Sequence, residues 1–322
     1  MLLTDNGIMK GMDLSIIVPV YNSAKTLQRC VDSILKAIKK SDTNCEIILV
    51  DNNSTDCSVE VAKNLQKQSP DIIKITLCKT QGAAAARNYG AKLAVGEYIW
   101  FIDADDTIRS DAIVKLFTRA NEENADMVML GMRRIYSDKH TDYLSAVCPS
   151  QPDYKSRFVR YGLGPVQLLI KNTWWTENGF KFHEGIIHED MELMSSLILH
   201  TNNYACVDEP LYNYYQNTGS VLHKCNWDPH YLDIFPALES LYSKFEKEKA
   251  VSKYHDELEW FFIWNLLIDS ARDFSKFAEG RVGFRKSRSL LKKYFPHWRR
   301  NRFLRQKPLK LRLRVFLNSV KY

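Results

Sequence analysis

Between residues 14 and 130, short apolar runs alternate with segments of helical periodicity, and this alternation limits the fold more than any other feature of the chain. Leu14–Val20 (LSIIVPV), Glu46–Val50 (EIILV), Ile72–Leu77, Tyr98–Ile102 (YIWFI) and Asp126–Leu130 are apolar runs that end at polar turns, the pattern of strands buried on both faces. Between them lie Ala24–Lys40, with Leu27, Val31, Ile34, Leu35 and Ile38 on one helical face, then Asp56–Gln68, the alanine-rich Ala83–Val95, and Ser110–Ala120. Strands and helices joined in this order by short links predict an α/β fold: a Rossmann-like, mostly parallel, doubly wound sheet with helices on both faces. Ligands gather at the carboxyl ends of such strands. The polar residues that fall there are Tyr21 and Asn22, Asp51–Asp56, Thr80 and Gln81, and Asp103–Asp106.

After residue 140 the pattern becomes more helical and more aromatic. Thr141–Ser156 is polar and holds two prolines, which suits a loop or lid; Phe158–Lys171 and Asp190–His200 read as helices. Tyr204–Val207 and Leu211–Tyr215 read as short strands around Pro210, and Tyr231–Ala250 and Tyr254–Phe277 as long helices. The expected organisation is an N-terminal extension over 1–13, the α/β domain over 14–225, a helical region over 226–279 and a basic tail over 280–322. Seven dispersed cysteines, odd in number and without a CxxC pair, argue against a disulfide framework or zinc knuckle and suit a reducing compartment. No stretch approaches the roughly 18 to 20 apolar residues needed to span a bilayer, and the first residues do not read as a signal peptide. The expected location is the cytoplasm, with docking at the inner face of the plasma membrane.

Four motifs carry chemistry. In Phe101-Ile102-Asp103-Ala104-Asp105-Asp106 an apolar strand runs into three carboxylates, a crowding of like charge that a cation would relieve. Hard divalent ions take oxygen ligands and bridge to phosphates, so Asp103 and Asp105 suit a nucleotide and its metal; a solvated strand-end turn is the other reading. In Val50-Asp51-Asn52-Asn53-Ser54-Thr55-Asp56, Asp51 either accepts hydrogen bonds from a base or ribose or caps the loop. In Gln81-Gly82-Ala83-Ala84-Ala85-Ala86-Arg87-Asn88 the small residues allow close packing, and Arg87 either reaches a ligand or pairs with an internal carboxylate. In His188-Glu189-Asp190 a carboxylate opens a helix, where it either takes a proton from an acceptor hydroxyl or offsets the helix dipole. The five-residue spacing of His183 and His188 does not suit zinc.

In this order and spacing these pieces resemble family 2 glycosyltransferases of the GT-A fold. The resemblance opens at Ser15-Ile16-Ile17-Val18-Pro19-Val20-Tyr21-Asn22 and runs through the Asp51 motif and Ala86-Arg87-Asn88-Tyr89-Gly90. It continues over Gly96–Asp106 to Phe182-His183-Glu184-Gly185 and His188-Glu189-Asp190, covering roughly residues 14–220. It implies an inverting transfer of sugar from a nucleotide diphosphate sugar, UDP-linked by default, to a saccharide or lipid-linked hydroxyl in cell-surface polysaccharide synthesis. Pro19, Tyr21, Asp51 and Arg87 would line the base pocket, Asp103 would touch ribose or sugar, and Asp105 would bind Mg2+ or Mn2+. Asp190 would be the general base with Glu189 beside it. Trp174, Trp175 and His188 would shape the donor or acceptor pocket, although aromatic residues are as often packing. Where many members place arginines this chain has Tyr214–Ser220, which leaves His223 and Lys224 as candidate cations or as a plain loop.

The charge is asymmetric. Residues after Glu279 hold fifteen Lys or Arg and no Asp or Glu, which leaves 30 basic against 38 acidic residues in the rest. A basic segment interleaved with Leu, Phe and Val reads as an anionic-membrane partner; no nucleic-acid module accompanies it. Two other classes stay in view. A sugar nucleotidyltransferase would carry a glycine-rich basic loop after its first strand, where this chain has Pro19-Val20-Tyr21-Asn22-Ser23. A non-catalytic membrane scaffold would have no need of Asp103, Asp105 and Asp190 together.

Overall fold

The structure is a computed structural model and describes residues 11–216 and 226–321. The chain divides into two compact units. The first takes in residues 11–152, Gly164–Gly185 and 201–216, the second Asp153–Leu163, Ile186–His200 and 226–321.

The first unit is built on one mixed sheet. Its elements in chain order are β1 (Leu14–Val20), α1 (Leu27–Lys39), β2 (Cys45–Asp51), α2 (Ser58–Gln68), β3 (Ile73–Leu77), α3 (Ala83–Leu93) and β4 (Tyr98–Phe101). There follow β5 (Thr107–Ile108), α4 (Ala112–Glu123), β6 (Met127–Ile135) and β7 (Thr141–Leu144); beyond α5 (Tyr154–Tyr161) come β8 (Leu168–Lys171) and α6 (Asn172–Glu177), and beyond α7 (Glu189–Ser196), β9 (Tyr204–Tyr215). The sheet order is β3-β2-β1-β4-β8-β6-β9-β5, with β7 paired to β6. β3, β2, β1 and β4 are parallel, β8 runs antiparallel between β4 and β6, and β9 runs parallel to β6. The expected mostly parallel α/β sheet is therefore present. Leu14, Ile16, Val18, Ile47, Leu49 and Trp100 are sealed in one core with the inner faces of α1 and α4.

The helix α3 owes its alanines and glycine to this sheet. A Cβ at Gly90 would stand 2.4 Å from Cγ2 of Ile17 and 3.1 Å from Cγ2 of Val50, so only glycine permits this approach. At the opposite, amino-terminal end of the strands, Glu46 is fully buried and tied on both oxygens. Ser15 Oγ and the Val95 N–H donate to Oε1 at 2.5 and 3.0 Å, and Lys74 Nζ lies 2.6 Å from Oε2.

The second unit is helical: α5 (Tyr154–Tyr161), α7 (Glu189–Ser196), α8 (Ile234–Lys247), α9 (His255–Trp264), α10 (Ser270–Phe274), α11 (Arg281–Tyr294), α12 (Arg302–Arg305) and α13 (Leu309–Val320). A π-helical stretch, Asn265–Asp269, joins α9 to α10. Phe245, Phe262, Phe274, Phe284 and Phe295 are fully buried and fill its core.

Four expectations change. Thr141–Ser156 is not one loop: Thr141–Leu144 pairs with β6 as β7, and Tyr154 opens α5. Phe158–Lys171 is not one helix: α5 ends at Gly162, which takes φ of +54°, and Leu168–Lys171 becomes the strand β8. The two short strands around Pro210 are one strand, β9, whose register slips where Gly131 meets Pro210. Cys148 and Cys206 are joined in a disulfide, because the segment after β7 returns beside β9 and brings their Cα atoms to 5.3 Å. Their separation of 58 residues gave no local signal of this pairing. Among the described residues no helix is long and apolar enough to cross a membrane.

Candidate active site

The carboxyl ends of β1, β2 and β4 form the floor of the site. Parallel register sets Val20 opposite Asp51, so Tyr21 and Asp51 leave the sheet side by side. Pro19 faces the β4 side of β1, beyond the last β1–β4 pair at Ile17 and Phe101, so its missing N–H removes no ladder bond. The Tyr21 ring is exposed, whereas Asp51 is buried and, among the described residues, receives a long 3.4 Å bond from the Ser54 N–H.

The polar loop after β2 is largely self-supporting. Asp56 accepts from the N–H groups of Ala24 and Ser58 at 3.1 and 3.0 Å, which holds the starts of α1 and α2 together. Asn22, at φ of +48°, accepts from the Thr55 N–H at 2.8 Å. Asn52 donates to the carbonyls of Cys78 and Thr80 and accepts from the Gly82 N–H at 2.7 Å, which fixes the entry to α3.

Arg87 projects from α3 and is buried. Its guanidinium meets Asp103 Oδ1 at 2.8 Å and lies 5.6 Å from the Phe182 ring centre. Of the two readings of Arg87, the structure shows the pairing with a carboxylate, and that carboxylate is itself a candidate ligand group. Beside it, Asn88 donates to the Phe182 carbonyl and Glu184 Oε1 and accepts from the Phe182 N–H, which fastens the 180–185 segment to α3.

The three aspartates after β4 divide in two. Asp106 turns inward: Oδ2 accepts from the Tyr212 hydroxyl at 2.7 Å and Oδ1 from the Tyr215 N–H at 2.8 Å. Burial, together with the negative charge of Asp103 and Asp105, pushes its pKa up to about 8. Asp103 and Asp105 stay partly exposed at the strand end. Asp103 gives its N–H to the Tyr212 hydroxyl at 3.2 Å, so one tyrosine braces both ends of the turn. The donor set open to an ion is therefore two carboxylates rather than three. Oxygen donors of this kind fit a hard divalent cation that keeps waters and takes further ligands from a diphosphate.

Arg29, on the first turns of α1, is a residue that sequence patterning passed over. It donates to the Asp105 carbonyl at 2.6 Å and stacks 3.9 Å from the Tyr215 ring centre, holding the aspartate turn from outside. With Lys25, Asp32, Lys36, Ser110 and Tyr215 it lines a cavity of about 560 Å3. Its only sequence signal was a basic residue on the otherwise polar face of α1.

Trp174 and Trp175 are buried. Trp175 packs against Phe101, Phe180 and Phe182 at ring distances of 5.6, 5.8 and 5.7 Å, so both rings belong to an aromatic cluster behind the strand end. His223 and Lys224 lie outside the described residues.

In the second unit, Glu189 and Asp190 open α7, preceded by His188 in the left-handed region at φ of +73°. Burial lowers the His188 pKa below its ordinary 6.5 despite the pull of Glu189 and Asp233. Asp233 supports the approach to the helix by accepting from the Ile187 N–H at 3.0 Å.

Residues 15–171 match the sequence profile of Glycosyl transferase family 2. That region is a family 2 glycosyltransferase domain, and the enzyme class of the protein is glycosyltransferase. It is similar to the uncharacterized glycosyltransferase YibD of Escherichia coli K12, 26% identical over 76% of each chain. It is likewise similar to the glycosyltransferase GlyG of Streptococcus pneumoniae serotype 4, 28% identical over 69% of this chain and 78% of that one. Among solved structures it matches a fragment of S. aureus TarS crystallised with UDP-GlcNAc at a TM-score of 0.74, with 20% identity, 96% of this chain and 89% of that chain covered. That likeness establishes the GT-A fold for this glycosyltransferase.

Proposed function

We propose that this glycosyltransferase takes a sugar from a UDP-sugar and passes it, with inversion, to a hydroxyl of a saccharide or lipid-linked acceptor at the inner face of a membrane, in cell-surface polysaccharide synthesis. The observation that carries the reading is the arrangement after β4: Asp103 paired to Arg87, Asp105 clamped by Arg29, and Asp106 withdrawn into the core. The TarS fragment that shares the fold binds UDP-GlcNAc, which supports a uridine nucleotide as donor.

In this reading Tyr21 offers an exposed ring face and Asp51 a carboxylate to the base, on a floor that Pro19 completes. Arg87 orients Asp103 toward ribose or sugar. Asp105 would hold Mg2+ or Mn2+, with Asp103 beside it; when bound, the ion would supply Lewis-acid stabilisation of the departing diphosphate. Lys25, Arg29 and Lys36 outnumber Asp32 in the adjoining cavity and suit a phosphate-bearing group. Asp190 accepts the proton of the acceptor hydroxyl as its oxygen attacks the anomeric carbon on the face opposite the leaving group. Glu189 adds negative charge beside that base, and a neutral His188 leaves it unquenched. Trp174 and Trp175 act through packing, stiffening the strand end behind Asp103.

Thermal unfolding with a panel of nucleotide sugars, with and without Mn2+, tests the donor assignment. A ligand that binds only the folded chain raises the midpoint as its concentration passes the dissociation constant. UDP and a UDP-sugar should stabilise the protein in an ion-dependent way. Equal stabilisation without the ion, or by no nucleotide at all, would remove the proposal.

A further inference from the structure

The last helix, α13, packs one side only. Val315 and Ser319 are buried, and Asn318 Nδ2 donates to the Leu267 carbonyl at 2.8 Å. The opposite side carries Leu309, Leu313, Phe316, Leu317 and Val320, each between 49% and 66% exposed. Their spacing places all five on one stripe of the helix. Lys310 and Arg314 border that stripe on one edge and Arg312 on the other. The stripe continues into a groove of about 210 Å3 between α13 and the preceding turn, lined by Trp298, Leu304 and Phe316 with Arg299 at its rim.

We propose that this face of α13 lies flat on an anionic membrane surface, its apolar row in the acyl boundary and its basic borders among the headgroups. Two properties select this occupant. The apolar row asks to leave water, and residues 281–321 offer only positive charge around it, with no Asp or Glu. A second copy docked through the same face would set basic border against basic border with no acid on that segment to receive it. Lipid satisfies both demands at once. At 12 residues, about 18 Å long, the helix cannot cross a hydrocarbon core of about 30 Å, so it rests in the interface plane. The inference deepens the membrane part of the proposed function and does not depend on its donor chemistry.

The test is cosedimentation of the full chain with vesicles of phosphatidylcholine alone or mixed with phosphatidylglycerol. The wild type should pellet with the anionic vesicles and be released by high salt. Leu313→Glu combined with Phe316→Glu should cut the bound fraction about ten-fold or more, and Lys310→Gln with Arg314→Gln should weaken binding to anionic vesicles only. Leu309→Ser with Leu317→Ser provides a second, milder pair on the same solvent-facing row, and unchanged thermal midpoints certify the fold of each variant. Wild-type binding by both apolar pairs would overturn the proposal. So would a wild type that ignores vesicles but forms a dimer broken by Phe316→Glu. Turnover of a UDP-sugar is read on the same samples: lost docking with turnover kept leaves the enzyme reading intact, and absent turnover with docking kept refutes only that reading.

Discussion

Asp105 and Asp106 are neighbours in sequence with opposite employment. Asp106 has both oxygens tied to Tyr212 and Tyr215, whereas Asp105 sits at the strand end with its carbonyl held by Arg29. Substituting them should therefore separate function from stability. Asp105→Ala should abolish ion-dependent nucleotide binding and transfer while leaving the unfolding midpoint nearly unchanged. Asp106→Ala strands a buried hydroxyl and a half-buried N–H and should cost about 2–4 kcal/mol in denaturant unfolding, with Asp106→Asn milder because its amide oxygen still accepts. Equal stability losses at both positions would refute the division. In the second unit, His188 gives a pH dependence. Burial holds its folded pKa below 6.5, so the unfolded chain takes up the proton first as pH falls, and the stability present above that value is lost progressively below it. Asn tolerates the left-handed backbone at this position, so His188→Asn should flatten the stability profile between about pH 8 and about pH 5, a comparison that denaturant titrations at each pH would make. Parallel profiles for the two proteins would refute it.

At the scale of elements, the two ends of the parallel strands have separate duties. The carboxyl ends carry Tyr21, Asp51 and Asp103; the amino ends carry the buried Glu46 with Ser15, Val95 and Lys74 around it. Glu46→Ala should lower stability by about 2–4 kcal/mol, chiefly through the stranded, buried Ser15 hydroxyl, yet leave transfer per folded molecule unchanged. A selective loss of turnover measured on the folded fraction would contradict that separation. This end-to-end polarity also explains what the sequence could reveal. The strands β1 to β4, their helices and the residues at their carboxyl ends were legible because each is written in a continuous local pattern of apolar runs and polar turns. β8 was hidden: its apolar residues follow those of α5 without a break in composition, and only the left-handed Gly162 ends the helix. Arg29, Asn52 and Asn88 were hidden for another reason. Their roles consist of bonds to carbonyls and side chains distant in sequence, and no spacing rule reports such contacts.

At the scale of the whole molecule, the basic C-terminal stretch is folded structure, and this changes how it can be tested. Phe284, Leu291, Phe295 and Val315 are buried in the second unit, and Asn301 donates to the Asp256 carbonyl and to Glu259 at 2.8 Å. α11 approaches α10 so closely that a Cβ at Gly283 would meet the Phe274 ring at 2.7 Å. Deleting everything after Gly280 would therefore do more than remove charge. Each buried Val, Leu or Phe contributes roughly 1.5–3 kcal/mol, so the four lost here amount to much of the roughly 5–15 kcal/mol by which a domain is stable. The truncated chain should lose helical circular dichroism and its cooperative melt, and its failure to bind vesicles would then report unfolding rather than lost docking. A truncated protein that melts cooperatively at the full-length temperature would show instead that the segment is a separable arm. Charge at the exposed row of α13 does not touch that core, so the Leu313→Glu, Phe316→Glu chain should melt like the wild type while leaving the membrane.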